Sequence, residues 1–220
     1  QAQNTYFGLS ELRHERQFIF VAPDGTRDST GQRFWNATDY CCDHYSSDTD
    51  DAAYLAGLIN RASNQLAVAD DQVYVVGFSN GGFMAHRMAC DYPDRVAGIA
   101  SLSGSSFDDE GACHAESGGP DILHIHATAD TVVGYYGALG YPGARTVAQR
   151  WASRNGCSDD PDDIGRHDFD VGVVSDETWM REWRDCDGER MVALWTMQGS
   201  LHFPTLTEAF TPSVLEQLFR

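Results

Sequence analysis

The sequence predicts an α/β protein whose mostly parallel central sheet is flanked by helices. Two observations lead to this prediction. Short β-branched or aromatic runs alternate along the chain with longer amphipathic stretches, which is the order of strands and helices in such folds. The short runs are also continuously apolar, as expected of strands covered on both faces of the sheet. The predicted strands are Phe18–Ala22, Val73–Val76, Val96–Leu102, Ile122–Ala127 and Val192–Met197.

Helix and turn signals lie between and after these strands. Apolar residues at helical spacing predict one buried helix face, which consists of Leu55, Ile59, Ala62 and Leu66. The pair Asp187-Gly188 predicts a hairpin turn before the last strand, so this edge of the sheet is expected to be antiparallel. Thr211-Pro212 predicts the start of a final helix.

Length and charge restrict the classes of function. A chain of 220 residues with 42% hydrophobic residues fits one compact domain, so residues 1–220 are expected to form a single domain. The formal net charge is −18, which argues against nucleic acid and against an anionic membrane as partners. No run approaches the roughly 20 apolar residues of a membrane helix. Because the first residues are polar, we expect a soluble chain from which any signal peptide is absent.

The cysteines indicate disulfides. Six cysteines are an even and generous number for this length, and none of them forms a C-x-x-C pair of the zinc type. Disulfides imply an oxidising compartment. Adjacent Cys41 and Cys42 are expected to bond different partners, because neighbouring cysteines bond each other with difficulty. The pairing of Cys41, Cys42, Cys90 and Cys113 stays open.

One segment carries the clearest chemical signal. An apolar strand runs into the pattern G-x-S-x-G at residues 77–81, and a helix-compatible segment follows. In this context the pattern predicts the nucleophile elbow of an α/β hydrolase, with Ser79 as the nucleophile. The backbone N–H of Asn80 is then expected to face a developing oxyanion. The alternative is a glycine-rich turn with an incidental serine.

A serine hydroxyl needs a base within hydrogen-bond reach and an acid that orients the base. In α/β hydrolases these two residues follow the nucleophile in the order acid, then histidine. Asp130 comes soon after the strand at 122–127, and His202 comes soon after the last strand. Both are therefore expected at the sheet edge where Ser79 stands.

Other residues compete for these two roles. Asp121 and the pair Asp108-Asp109 are the alternatives to Asp130. His124 and His126 alternate with apolar residues inside a strand, so we expect them to be packed or hydrogen-bonded core residues. The sequence contains no H-E-x-x-H, H-x-H-x-D or clustered Cys/His pattern, and its glycine-rich segment lacks the lysine of a phosphate-binding loop. No metal and no cofactor is therefore predicted.

Several longer stretches extend the signal beyond the elbow. They are Tyr6–Leu9, Val21–Gly25, Arg33–Thr38 leading to Cys41-Cys42, His124–Asp130, Trp151 with Asn155–Cys157, and Leu194–His202 before Pro204. Together they resemble the secreted polyhydroxybutyrate depolymerase and feruloyl esterase group, close to carbohydrate esterase family 1. The resemblance runs through nearly the whole chain and is more specific than G-x-S-x-G alone.

The resemblance implies an exported α/β-hydrolase catalytic domain that needs no cofactor. It implies hydrolysis of carboxylic esters through an acyl-enzyme, with Ser79, Asp130 and His202 in the roles given above. It also implies a disulfide between Cys157 and Cys186. A serine peptidase and a non-catalytic polymer- or glycan-binding domain are the alternative functions.

The resemblance also concerns substrate contacts. Trp35 and Asn36 correspond to the lining of a substrate entrance, and an aromatic side chain packed under a loop is an equal alternative. Phe203 stands where the family often has tryptophan after its histidine, so it is a candidate substrate contact. Trp35 and the pair Tyr135-Tyr136 would suit a ring or a sugar. Polyhydroxyalkanoate, feruloylated or acetylated polysaccharide and short-chain esters all stay open as substrates, as does the oligomeric state.

The start of the chain departs from the family pattern. Family members carry, ahead of the segment that matches residues 1–9, a strand that ends in a His-Gly loop and donates a second oxyanion N–H. We therefore expect a sheet that lacks its N-terminal strands. A sequence that is a piece of a longer protein is the favoured explanation, and a strand from a second chain or a repaired sheet are the alternatives.

Overall fold

The computed structural model describes residues 2–66, 68–69, 71–115 and 118–220. Its helices are α1 (Ala2–Phe7), α2 (Leu9–Leu12), α3 (Asp51–Gln65), α4 (Asn80–Asp91), α5 (Ala144–Arg154) and α6 (Phe210–Leu218). Its strands are β1 (Thr26–Arg27), β2 (Arg33–Phe34), β3 (Tyr74–Phe78), β4 (Gly98–Leu102), β5 (Asp121–Ala127), β6 (Gly137–Ala138), β7 (Tyr141–Pro142), β8 (Asp162–His167), β9 (Thr178–Trp183) and β10 (Val192–Met197). No helix in the described ranges has the length and apolar character to cross a bilayer.

Six strands form the central sheet in the order β3-β4-β5-β10-β9-β8. The first four run parallel, whereas β9 is antiparallel to β10 and β8 is antiparallel to β9. The predicted mostly parallel sheet with an antiparallel edge is therefore confirmed. The four strands predicted from residue 73 onward correspond to β3, β4, β5 and β10, and the turn at Asp187–Glu189 precedes β10 as predicted.

Successive side chains of each strand pack into two cores on opposite faces of the sheet. On β10, Val192 and Leu194 pack with residues of α3, α4 and α5. The alternate residues Ala193, Trp195 and Met197 pack with residues of α1, α2 and α6. Because both faces are covered, the central strands are mostly apolar, and His124 and His126 of β5 are the main exceptions.

The prediction of a strand at Phe18–Ala22 is wrong. The segment lies outside the sheet and has no regular secondary structure. Phe18 and Phe20 pack against the core on the α6 side, whereas Ile19 and Val21 are exposed. The continuous apolar run of the sequence therefore belongs to an irregular segment that buries alternate side chains on the core surface.

A glutamine side chain covers the outer edge of β3. The amide oxygen of Gln3, in α1, accepts the backbone N–H of Phe78 at 3.0 Å, and its nitrogen donates to the Phe78 carbonyl at 2.9 Å. An adjacent strand would bond the same two backbone groups. Since buried backbone groups without a partner are costly, the Gln3 amide stabilises the end of β3, one residue before Ser79.

Three disulfides join Cys41 to Cys42, Cys90 to Cys113 and Cys157 to Cys186. The last of these is the pair that the family resemblance implies. The expectation that Cys41 and Cys42 bond different partners is wrong. The two residues pair with each other across a cis peptide bond, which brings their Cα atoms within 3.0 Å.

Replacing Gln3 with alanine is expected to destabilise the fold by about 1–3 kcal/mol, because both backbone groups of Phe78 would lose their partner. Urea unfolding followed by tryptophan fluorescence measures this change. Gln149→Ala, at an exposed position of α5, is the matched control and should change the free energy of unfolding by less than about 0.5 kcal/mol. Equal stability of Gln3→Ala and the wild type would contradict this account of the edge.

Candidate active site

Ser79 lies in a tight turn between β3 and α4. Its backbone has φ 54° and ψ −118°, a conformation that residues other than glycine seldom adopt. A Cβ at Gly77 would collide with the backbone oxygen of Gly81, so the close approach across the turn requires glycine there. A Cβ at Gly82 would lie 2.7 Å from Ser101 Oγ, which shows how closely α4 packs on β4. The glycines therefore permit the turn that carries the serine.

Three side chains from the ends of three strands meet at one edge of the sheet. His202 Nε2 lies 2.9 Å from Ser79 Oγ, and His202 Nδ1 lies 2.7 Å from Asp130 Oδ2. Because β5 and β10 are adjacent and parallel, the loops that carry Asp130 and His202 leave the sheet side by side. Both side chains are buried. The structure thus brings the three predicted residues into one hydrogen-bonded series.

The Asp130 carboxylate is bonded on both oxygens. The backbone N–H groups of Val132 and Val133 donate to Oδ1, each at 2.8 Å. His202 donates to Oδ2, and His126 Nε2 lies 3.4 Å from the same oxygen. Burial by itself would raise the pKa of Asp130, but the hydrogen bonds from His126, His202 and the two backbone groups together lower this pKa below its ordinary value. Asp130 is therefore an ionised acceptor at neutral pH.

Aromatic rings flank His202. The ring centroids of Phe78 and Phe203 each lie 5.0 Å from the His202 centroid. Phe203 is 69% exposed, so it presents apolar surface to solvent beside the histidine. The structure therefore places this predicted substrate contact next to the candidate base.

Asn80 begins α4 directly after Ser79. N–H groups in the first turn of a helix have no partner within the helix, so the Asn80 N–H can bind a negatively charged oxygen. The Asn80 side chain bonds both backbone groups of Trp35: it donates to the carbonyl at 2.8 Å and accepts the N–H at 2.8 Å. Trp35 is therefore tied to the elbow, and its ring stacks on Tyr54 with centroids 6.5 Å apart.

Asn36 supports this segment by other contacts. Its side-chain amide donates to the Thr49 carbonyl at 3.0 Å, and its backbone N–H donates to Asp51 Oδ2 at 2.8 Å. Asp51 is buried and also accepts the Thr26 hydroxyl at 3.0 Å. These hydrogen bonds fix the position of the chain next to Trp35, and neither bond made by Asn36 reaches the candidate triad of Ser79, Asp130 and His202.

A cleft of about 360 Å³ opens on the α5 side of β9 and β10. Thr128 and Gln198, which line it, directly follow β5 and β10, so the cleft lies at the same sheet edge as the triad. Ser79 and His202 do not line it. Its larger side chains are aromatic or cationic: Tyr135, Tyr136, Trp179, Trp183, Arg145 and Arg181.

One contact of the site was missed at the level of sequence. The structure confirms that His124 and His126 are buried and hydrogen-bonded, but it also places His126 against Asp130. The sequence signal that could have predicted this contact is the spacing of His126 and Asp130, which are four residues apart where β5 ends. Across the described ranges, no three His, Cys, Asp or Glu side chains converge as a metal site.

Known proteins share the fold and parts of the sequence. Residues 23–114 match the family model described as alpha/beta hydrolase fold. The chain is 26% identical over 155 residues to feruloyl esterase D of Neurospora crassa, which covers 69% of this chain and 44% of the relative. It is 29% identical over 161 residues to feruloyl esterase C of Emericella nidulans, which covers 73% of this chain and 50% of the relative. The crystal structure of esterase PE8 matches with a TM-score of 0.56 and 18% identity, over 96% of this chain and 85% of that chain.

The chain spans about half the length of the curated feruloyl esterases that it matches. The likeness to the solved structure concerns the fold, and it agrees with the mixed sheet and flanking helices described above. The chain has the α/β-hydrolase fold, and its sequence is related to the feruloyl esterase group of that fold.

Proposed function

We propose that this chain is a serine esterase that hydrolyses carboxylic esters through an acyl-enzyme. The observation that carries the proposal is the series from Asp130 Oδ2 through His202 to Ser79 Oγ, with distances of 2.7 and 2.9 Å. Such a series activates a weakly nucleophilic hydroxyl, because the imidazole accepts its proton. The feruloyl esterases among the relatives support an ester as the substrate.

Each step of the reaction uses a group that lies in this series or beside it. Ser79 Oγ attacks the ester carbonyl carbon while His202 Nε2 takes the hydroxyl proton, and the Asn80 N–H donates to the oxygen that becomes negative. His202 then gives the proton to the departing alcohol, and the acyl group remains bonded to Ser79 Oγ as the acyl-enzyme. Water attacks the acyl carbonyl with His202 again as the base, and the proton returns to Ser79 as the acid departs. Asp130 holds the imidazole in one orientation and stabilises its positive charge.

The surroundings of the triad favour an ester that carries a ring or a sugar. Phe203 presents an exposed aromatic face beside His202, and Trp35 is tied to the elbow through Asn80. The neighbouring cleft adds further aromatic walls. Aromatic side chains contribute large apolar contact area to such ligands. We therefore propose a feruloylated polysaccharide as the favoured substrate class.

The disulfides favour a protein that functions outside the cytosol. Three disulfides are present among the described residues, and thiols in the cytosol are kept reduced. The net charge of −18 further favours a neutral or cationic partner over nucleic acid. We propose that the protein is exported and meets its ester substrate there.

A fluorophosphonate is expected to add once to the wild-type protein and not at all to Ser79→Ala, because only an activated serine attacks this reagent at a useful rate. Intact mass spectrometry of the labelled protein measures the adduct. Ser153→Ala, at an exposed position of α5, is the matched control and should label like the wild type. An unlabelled wild type, or an adduct that persists in Ser79→Ala, would refute the assignment of the nucleophile.

Asp130→Asn is expected to lower kcat by about 10⁴-fold, because an amide in this place favours the wrong tautomer of the imidazole.

The same variant, Asp130→Asn, should also change how the free energy of unfolding depends on pH. Folding lowers the pKa of Asp130, so its ionisation stabilises the fold above the unfolded value of about 3.9 and this contribution is lost as pH falls through the folded value. The stability difference between the wild type and the variant should therefore shrink as pH falls from about 5 to about 2.

Urea unfolding at several pH values measures this difference, and circular dichroism shows whether both proteins are folded at the start. A difference that stays constant over this range would contradict a lowered pKa of Asp130.

The substrate class is tested by comparing methyl ferulate with hydroxybutyrate oligomers. We expect kcat/KM to be at least about 10-fold higher for methyl ferulate, because burial of a phenyl-sized ring contributes roughly 1.5–3 kcal/mol. The opposite preference, measured on the same preparation, would assign the protein to polyhydroxyalkanoate hydrolysis.

A further inference from the structure

A chain of buried side chains leads from the core to Asp130. Trp151 Nε1 donates to His86 Nδ1 at 3.1 Å. His86 Nε2 lies 3.1 Å from His124 Nδ1, and His124 Nε2 lies 3.4 Å from His126 Nδ1. The three imidazoles are at most 1% exposed. None of these groups takes part in the reaction proposed above.

The last ring of this chain faces two oxygens. His126 Nε2 lies 2.8 Å from the Val133 carbonyl and 3.4 Å from Asp130 Oδ2. Oδ2 is also the oxygen that accepts the hydrogen bond from His202 Nδ1. The buried chain and the candidate base therefore meet on one carboxylate oxygen.

Burial keeps the inner imidazoles neutral. It is the main cause that lowers the pKa of His86 to about 3, with a smaller electrostatic contribution from His126. Burial likewise lowers the pKa of His124 well below its ordinary value, and its neighbours His86 and His126 add to the effect. A neutral imidazole has one N–H donor and one nitrogen acceptor.

The two ends of the chain fix its direction. The indole N–H of Trp151 can only donate, so the Nδ1 of His86 must accept and its Nε2 must carry the hydrogen. His86 Nε2 then donates to Nδ1 of His124, and His124 Nε2 donates to Nδ1 of His126. At the far end, the carbonyl and the carboxylate oxygens can only accept, which requires the hydrogen on Nε2 of His126. Both ends therefore demand the same tautomer in all three rings.

We propose that His126 is a positioning residue for catalysis: its N–H, shared between the nearer Val133 carbonyl and Asp130 Oδ2, holds this loop and its carboxylate where His202 needs them. Trp151, His86 and His124 act through His126, since they fix the tautomer that directs its hydrogen to this oxygen. The inference rests on the proposed function, because Asp130 matters only if His202 is the base. A hydrocarbon side chain could fill the same volume, but it would remove the His126 donor. Oδ2 would then be held by His202 alone, while Oδ1 would keep the N–H groups of Val132 and Val133.

Two variants of His126 separate positioning from packing. His126→Leu fills space without a donor, whereas His126→Gln places an amide nitrogen near the position of Nε2. We expect kcat to fall about 10- to 100-fold in His126→Leu with KM nearly unchanged, because small errors of orientation have effects of this size. His126→Gln should recover a large part of the loss. His167→Gln is the control and should match the wild type, because His167 is exposed and does not belong to this hydrogen-bonded series of buried side chains.

Methyl ferulate hydrolysis measures kcat and KM, and fluorophosphonate labelling gives the reactivity of Ser79 without turnover. A folded His126→Leu with wild-type kcat, or His126→Gln and His126→Leu variants that are equally slow, would overturn the inference and leave the proposed function standing. A wild type that neither hydrolyses esters nor labels would overturn the proposed function itself.

A spectroscopic test covers the case in which the His126 variants do not fold. Imidazole ¹⁵N NMR of the wild type reports the tautomer of each ring, and we expect hydrogen on Nε2 and not on Nδ1 in His86, His124 and His126. Trp151→Phe retains an aromatic ring at this position but removes the N–H donor to His86, so the His86 signal should change most. Hydrogen on Nδ1 of any of the three rings in the wild type would contradict the proposed direction of the hydrogen bonds from Trp151 to His126.

Discussion

The parallel pairing of β5 with β10 is the constraint on which the rest of the structure depends. Its register sets Ala127 opposite Met197, so the two strands end at the same level and their loops carry Asp130 and His202 to one place. β4 and β3 continue the parallel order, and β3 brings Ser79 to the same edge. A slip of one residue would exchange the two faces of a strand and move its loop. The register that packs both cores therefore also positions the triad.

Asp130 connects this edge with the interior. A buried carboxylate is costly unless N–H groups bond it. Here its own loop bonds one oxygen, while His202 and His126 approach the other. Behind it lie imidazoles instead of hydrocarbon, so part of the core on the α4 and α5 side is polar and hydrogen-bonded. A polar core of this kind specifies orientation as well as volume.

The main sheet and the triad could be predicted because they follow from local patterns: an apolar run marks each central strand, and each candidate residue stands at or just after such a run. Other features depend on contacts that no local pattern encodes. The Gln3 amide meets a strand edge 75 residues away. β8 has no apolar period because most of its side chains are exposed. Phe18–Ala22 is continuously apolar like the central strands, but it packs outside the sheet. The bond between Cys41 and Cys42 depends on a backbone conformation that the residue types do not specify.

The central claim is that Ser79 carries the acyl group between the two halves of the reaction. Turnover of 4-nitrophenyl acetate, quenched in acid within milliseconds and followed by peptide mass mapping, tests this claim most directly. We expect a burst of one nitrophenol per protein and an acetyl group on the peptide that contains Ser79. Release of nitrophenol without a burst and without an acetylated peptide, or an acetyl group on another residue, would contradict the account.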